Sequence, residues 1–191
     1  GKVHPDLESH PIHTSFVQRL PDVERYYRHY LPLFPAAIRG FDFSRFDLVV
    51  SSSHCVAKGV RVPPGVVHLC YCHTPMRYVW DRYADYFGPG RLPLPGRLAM
   101  RLVAAWLRRW DVRTAAGVTR FAANSAYVAG RIRRYYGREA EVLPPPVDTD
   151  FFTPGPPGAP RDYDLVVSAL VPYKRIDLVL EAYRGSGRPL K

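Results

Sequence analysis

His73 ends the apolar run VVHLCYC, and Thr74 with Pro75 then forces a turn. An imidazole at a strand end can work on a ligand, or it can be tied to nearby backbone, and spacing alone leaves both roles open. Lys174 follows the apolar run LVVSALV and Pro172, just before Ile176, Leu178, Val179, Leu180 and Tyr183 resume at helical spacing. A lysine at such a helix start can meet a diphosphate as a point charge, helped by backbone N–H groups and the helix dipole. The alternative is an ordinary surface lysine. The chain carries neither GxGxxG nor GxxxxGKS, so a dinucleotide fingerprint and a P-loop are both missing.

Alternating strands and helices must position these groups. Apolar runs predict strands at residues 46–50, 66–72, 118–123 and 141–143, and a fully buried parallel strand at 165–171. Helical spacing predicts a short helix near 23–30, a long one over 98–116, and another that Asn124 and Ser125 cap and Gly137 closes. Residues 81–96, aromatic and then rich in Gly and Pro, read as a surface loop. The pattern is α/β with a parallel sheet. In such sheets ligands bind beyond the carboxyl ends of the strands, beside helix N-termini. That rule selects Ser51 to His54 (with Ser52 and Ser53 between), His73 to Tyr78, Asn124 with Ser125, and Ser168 to Arg175. All four clusters are expected to face one cleft. Arg77 and Asp81 stand four apart around Tyr78 and Trp80.

The run from Leu143 to Pro160 holds Pro144, Pro145 and Pro146 and reads as a semi-rigid linker. The expected organisation is a partial first domain over 1–143, a linker over 144–160, and the start of a second domain over 161–191. Too little chain follows Tyr183 to complete that second domain.

Of 191 residues 47% are hydrophobic and 13% aromatic, enough for a core and against global disorder. Net charge is +10, and all but four of the 27 basic residues are arginine. Such a balance is either compositional bias or affinity for nucleic acid, phosphates or an acidic leaflet. The arginines spread over several elements without a nucleic-acid-binding signature, which argues against a nucleic-acid module. On the long helix, Leu98, Leu102, Val103, Trp106 and Trp110 form an apolar stripe, with Arg97, Arg101 and Arg108 opposite and Arg109 and Arg113 at its edge. This is a core helix with a basic back, or else a helix lying on an anionic membrane. No apolar stretch approaches the ~20 residues that span a bilayer, and no signal-peptide pattern leads the chain. Cys55, Cys70 and Cys72 make no disulfide framework or CxxC pair and read as buried free thiols in a reducing cytosol.

Four segments taken in order, YCHTPMRYVWD, NSAYVAGRIRRYYG, VLPPPVDTDFFTP and VSALVPYKRIDLVLEAY, resemble the family-4 retaining glycosyltransferases of GT-B fold. They look like bacterial enzymes of surface-polysaccharide or lipopolysaccharide O-antigen synthesis, often mannosyltransferases. The resemblance implies an incomplete amino-terminal Rossmann-like domain for the acceptor and the first β-α unit of a second such domain for a nucleotide-sugar. It implies hexosyl transfer from a GDP- or UDP-linked donor to a saccharide or lipid-linked acceptor, without a metal or nucleic-acid partner, in the cytoplasm or peripherally on the inner face of the plasma membrane. It places catalytic His73 at the sugar end of the cleft and the donor on Lys174, Arg175 and Ser168. Ser52, Ser53, His54, Arg77, Tyr78, Asp81, Asn124 and Ser125 would line the cleft or meet the acceptor. Ala169 stands where the family usually has a donor-binding arginine, a role Arg175 would take over. The family's glycine-rich loop has no counterpart here, and its paired glutamates would lie beyond Lys191, so the chain is expected to be inactive by itself. Ala169 also supports an alternative, a non-catalytic GT-B scaffold.

Overall fold

The computed structural model describes residues 5–155, 162–171 and 174–191. The later part of the expected linker and the expected strand break at Pro172 lie outside them. The chain divides into two compact units, Gly1–Pro145 and Pro146–Lys191.

The first unit opens on short helices α1 (Pro5–Glu8), α2 (Val23–Tyr26) and α3 (Phe34–Arg39). The sheet follows: β1 (Leu48–Ser53), β2 (Val67–Cys72), α4 (Tyr83–Phe87), α5 (Leu94–Ala115), β3 (Arg120–Ala123), α6 (Ala126–Tyr136) and β4 (Ala140–Val142). The four strands lie in the order β1-β2-β3-β4, every pair parallel. A crossover segment separates each strand from the next, which parallel pairing requires. This is a mixed α/β, Rossmann-like architecture.

Strand side chains alternate, so period two decides what each strand offers to each face. Val49, Ser51, Ser53, His68, Cys70, Cys72, Phe121 and Ala123 are buried. On the other face Leu48, Val50 and Val67 are more than 40% exposed, so among the described residues the helices cover one side of the sheet. Below the sheet, Cys70, Cys72, Phe121 and Ala123 pack on Val128, Ile132 and Tyr136 of α6. A second cluster joins Leu31, Cys55, Met76, Val79, Ala104, Leu107 and Trp110. Burying a side chain such as Leu107 or Ile132 fully stabilises the fold by about 1.5–3 kcal/mol.

Helix α5 starts at Leu94, inside the expected loop, because Pro95 in the first turn needs no N–H partner there. Residues 83–87 of that loop form α4. The buried side of α5 is Ala104, Leu107, Trp110, Asp111 and Ala115. Of the expected stripe, Trp110 is buried, whereas Leu98, Leu102 and Trp106 are 52%, 75% and 47% exposed. The face is set by Asp111, which meets a buried cation described below. Helix α6 follows its sequence signals: Ser125 Oγ accepts from Val128 N at 3.3 Å, and Gly137 closes it at φ 62°.

The second unit corrects another expectation. Residues 165–171 form no sheet strand; Asp164 alone makes a parallel bridge to Leu190. Val166 N donates to Lys191 O at 2.8 Å, while Val167 and Leu170 are 87% and 88% exposed. A buried strand needs neighbours on both edges and cover on both faces, and among the described residues this run has a single bond to another segment and stays largely exposed. Helix α7 (Ile176–Tyr183) forms as its spacing predicts, after Arg175 at φ 50°. Tyr183 Oη donates to Asp164 Oδ2 at 2.5 Å and ties the helix back to the bridge.

Candidate functional site

The carboxyl ends of β1 and β2 bring several of the expected residues together. Backbone hydrogen bonding in β1 continues through Ser53, beyond the apolar residues, so three consecutive serines divide between two faces. Ser51 turns inward, with Oγ 2.8 Å from His68 Nε2. Ser53 also turns inward, and its Oγ accepts from Lys58 N at 3.2 Å. Ser52 turns outward, and its Oγ lies 2.8 Å from His73 Nε2.

His73 is exposed at the end of β2, with its backbone held on two sides. Its N–H donates to Ser53 O at 2.8 Å, and its carbonyl accepts from Asn124 Nδ2 at 3.2 Å. The ring of Tyr71 meets the imidazole edge-on at 5.1 Å between centroids. Asn124 in turn accepts Ser125 Oγ–H at 3.2 Å. Burial, then the charges of Arg77 and His73, push the His54 imidazole below its ordinary value. His54, His73 and Arg77 thus share one electrostatic neighbourhood, a setting that favours an anionic or strongly polar ligand group. Among the described residues, no group of three or more His, Cys, Asp or Glu could hold a metal ion.

The segment after His73 is fastened to the helices. Asp81 pairs with Arg131 of α6 and accepts from Tyr135 Oη, and Arg131 also donates to Thr74 Oγ1. Trp80 stacks on Tyr135 at 4.5 Å, and Arg108 Nε donates to the Val79 carbonyl at 2.6 Å. Tyr78 packs on the second core cluster and meets Tyr86 edge-on; burial pushes its phenol up. Asp81 and Tyr78 therefore anchor the segment, while His73 remains outward.

A wholly buried network lies underneath. Lys58 and Asp111 are 1% and 0% exposed, with Nζ to Oδ1 at 3.0 Å. Lys58 Nζ also donates to Asp111 O and Thr114 Oγ1. Asp111 Oδ2 accepts from Trp80 Nε1 at 2.8 Å and Tyr136 Oη at 2.9 Å. The Lys58 ammonium sits 4.6 Å from the Tyr136 ring centre, a cation–π distance. Charges this deep persist only when paired and hydrogen-bonded. Sequence reading gave no site role to Lys58, Asp111, Arg131 or Tyr135. One signal was available: Asp111 is the sole acid in 22 residues of α5, wedged between Trp110 and Val112.

The second unit carries the other expected residues. Lys174 stands before α7, with its N–H on Val171 O at 2.9 Å. Arg175 forms an exposed pair with Asp177, Nη2 to Oδ2 at 2.9 Å, and Ser168 is exposed. Water screens an exposed pair of this kind, so Asp177 holds Arg175 only weakly.

Cys55, Cys70 and Cys72 are free and buried, and burial pushes the Cys55 thiol up to about 12. Among the described residues, no helix is long and apolar enough to cross a membrane. The family model described as Glycosyltransferase Family 4 matches residues 3–151. No curated protein and no solved structure matches the chain.

Proposed function

Because the chain belongs to Glycosyltransferase Family 4, we propose that it serves a retaining transfer of a hexose, mannose foremost, from a GDP- or UDP-linked donor. The acceptor in this reading is a saccharide or a lipid-linked sugar of polysaccharide synthesis. Family membership itself carries the coarser statement: a GT-B transferase of glycosyl groups, with nucleotide-sugar and acceptor substrates.

The observation that supports the finer reading most is His73. An outward imidazole with its backbone locked by Ser53 and Asn124 stands at the carboxyl edge of a parallel sheet. There it can hydrogen-bond a sugar hydroxyl and stabilise charge as the anomeric centre becomes oxocarbenium-like. Ser52, Ser53, His54, Arg77, Tyr78, Asp81, Asn124 and Ser125 build or line that edge. In the second unit, Lys174, Arg175 and Ser168 take the donor diphosphate, with Lys174 as point charge at the start of α7. The reading assigns no metal to that step. We assign residues 1–143 to the acceptor side, 144–160 to a linker and 161–191 to the donor side.

Helix α5 supports peripheral contact with an anionic membrane on its cytoplasmic face. Leu94, Leu98, Leu102 and Trp106 stand 47–75% exposed, flanked by exposed Arg101, Arg109 and Arg113. Each arginine near an anionic surface contributes about 1 kcal/mol.

The test is a transfer assay on the full-length protein, with GDP-mannose and UDP-hexoses offered to lipid-linked and free saccharides and the product anomer read by NMR. Transfer with retained configuration is expected, and His73→Ala should lower kcat by about 10²–10³. Transfer that His73→Ala leaves intact, or a folded protein that turns over none of these donors, would reject the reading.

A further inference from the structure

We propose that Ser52 is a positioning residue for His73, holding Nε2 so that Nδ1 is the ring nitrogen offered to the substrate. The inference rests on the reading of His73 given above. Ser52 and His73 come from neighbouring strands. In the β1–β2 pairing Ser52 stands opposite Tyr71, so His73, two residues further on, lies diagonally across on the same face. Ser52 Oγ reaches His73 Nε2 at 2.8 Å. Among the described residues, Nδ1 of His73 has no hydrogen-bond partner.

The backbone of His73 is already fixed. Ser53 O and Asn124 Nδ2 hold its backbone on either side, and the Tyr71 ring stands edge-on to its own. Rotation about the Cβ–Cγ bond exchanges Nδ1 with Cδ2 and Nε2 with Cε1, so a half-turn would aim a ring carbon at Ser52 in place of Nε2. That torsion is broad and roughly two-fold for histidine, so packing selects between the two orientations only weakly. A hydroxyl selects one of them. It can donate to the ring nitrogen or accept from it, so it holds Nε2 in either neutral tautomer and in the imidazolium. The seryl oxygen therefore acts on orientation and leaves the proton of the ring to the substrate's demand. Ser51 and Ser53 cannot substitute, because alternation turns both into the core.

The test compares Ser52→Thr with Ser52→Val, two side chains of one shape that differ by a hydroxyl and that both suit a strand. With ¹⁵N-histidine labelling of this chain, Ser52→Val should move the His73 Nε2 resonance, whereas Ser52→Thr should keep the wild-type pattern. In the full-length protein, Ser52→Val should lower kcat about tenfold with donor KM unchanged, and Ser52→Thr should restore it. A His73 pattern identical in wild type and Ser52→Val would overturn the proposal, and so would equal shifts in both variants. A selective Nε2 response in a protein that transfers no sugar would uphold the Ser52–His73 coupling and reject only the proposed function.

Discussion

Replacing Asp111 by Asn removes one charge from the deepest part of the first unit while keeping shape and one acceptor. Lys58, 1% exposed, is then left as a buried ammonium on the Asp111 carbonyl and Thr114 Oγ1 alone. Removing one partner of a buried pair costs about 3–5 kcal/mol, and the two remaining acceptors place Asp111→Asn near the lower end, about 3 kcal/mol. Lys58→Met leaves the carboxylate with Trp80 Nε1 and Tyr136 Oη as donors and should cost a similar amount, about 3 kcal/mol. The double variant contains no buried charge. It should cost no more than either single change, which gives a coupling of about 3 kcal/mol. Against a domain stability of about 5–15 kcal/mol, each single change is large. Urea unfolding followed by tryptophan fluorescence reports the first unit cleanly, because Trp80, Trp106 and Trp110 all lie in it. Additive costs, about 6 kcal/mol for the double variant, would refute the claim that Lys58 and Asp111 act as a pair.

His68 gives the fold an acid limit. Burial first of all depresses its imidazole, and His54 is shifted in the same direction. Below the ordinary imidazole value, about 6.5, the unfolded chain therefore binds more protons than the folded one, so stability falls as pH drops and is level above it. The urea midpoint should decline from pH 7 to pH 5 and His68→Gln should flatten that slope; an unchanged slope would refute the assignment. Gly137→Ala should destabilise the first unit by about 1 kcal/mol through backbone strain alone, since φ is 62° and an added Cβ meets nothing within 4 Å. A urea midpoint equal to wild type would refute it.

The parallel character of the sheet was legible because residues 46–50, 66–72 and 118–123 carry short, β-rich apolar runs set between helical spacings. The ends of α6 were legible too, since Ser125 and Gly137 act locally. Apolarity misassigned the buried side of α5, because Asp111 faces the core only in the presence of Lys58, 53 residues earlier. It failed again at residues 165–171, where a run fit for a sheet interior makes, among the described residues, one bond to a partner segment, from Val166 N to Lys191 O. At the candidate site, adjacency in sequence grouped Ser51, Ser52 and Ser53 together. Alternation separates them, and only the pairing of β1 with β2 tells which one reaches His73.

The residues of β1 carry a weakness of their own. Two valines followed by three serines read nearly the same if the strand slides by one position, since valine replaces valine and serine replaces serine in the core. The usual guard against such a frame error, a greasy residue forced into water, is therefore feeble here. What holds the frame is the tether downstream. Lys58 follows Ser53 by five residues and must arrive beside Asp111 with its amide on the Ser53 hydroxyl. The interior cation is thus the strand's ruler, and losing it would let the outward hydroxyl drift from its imidazole.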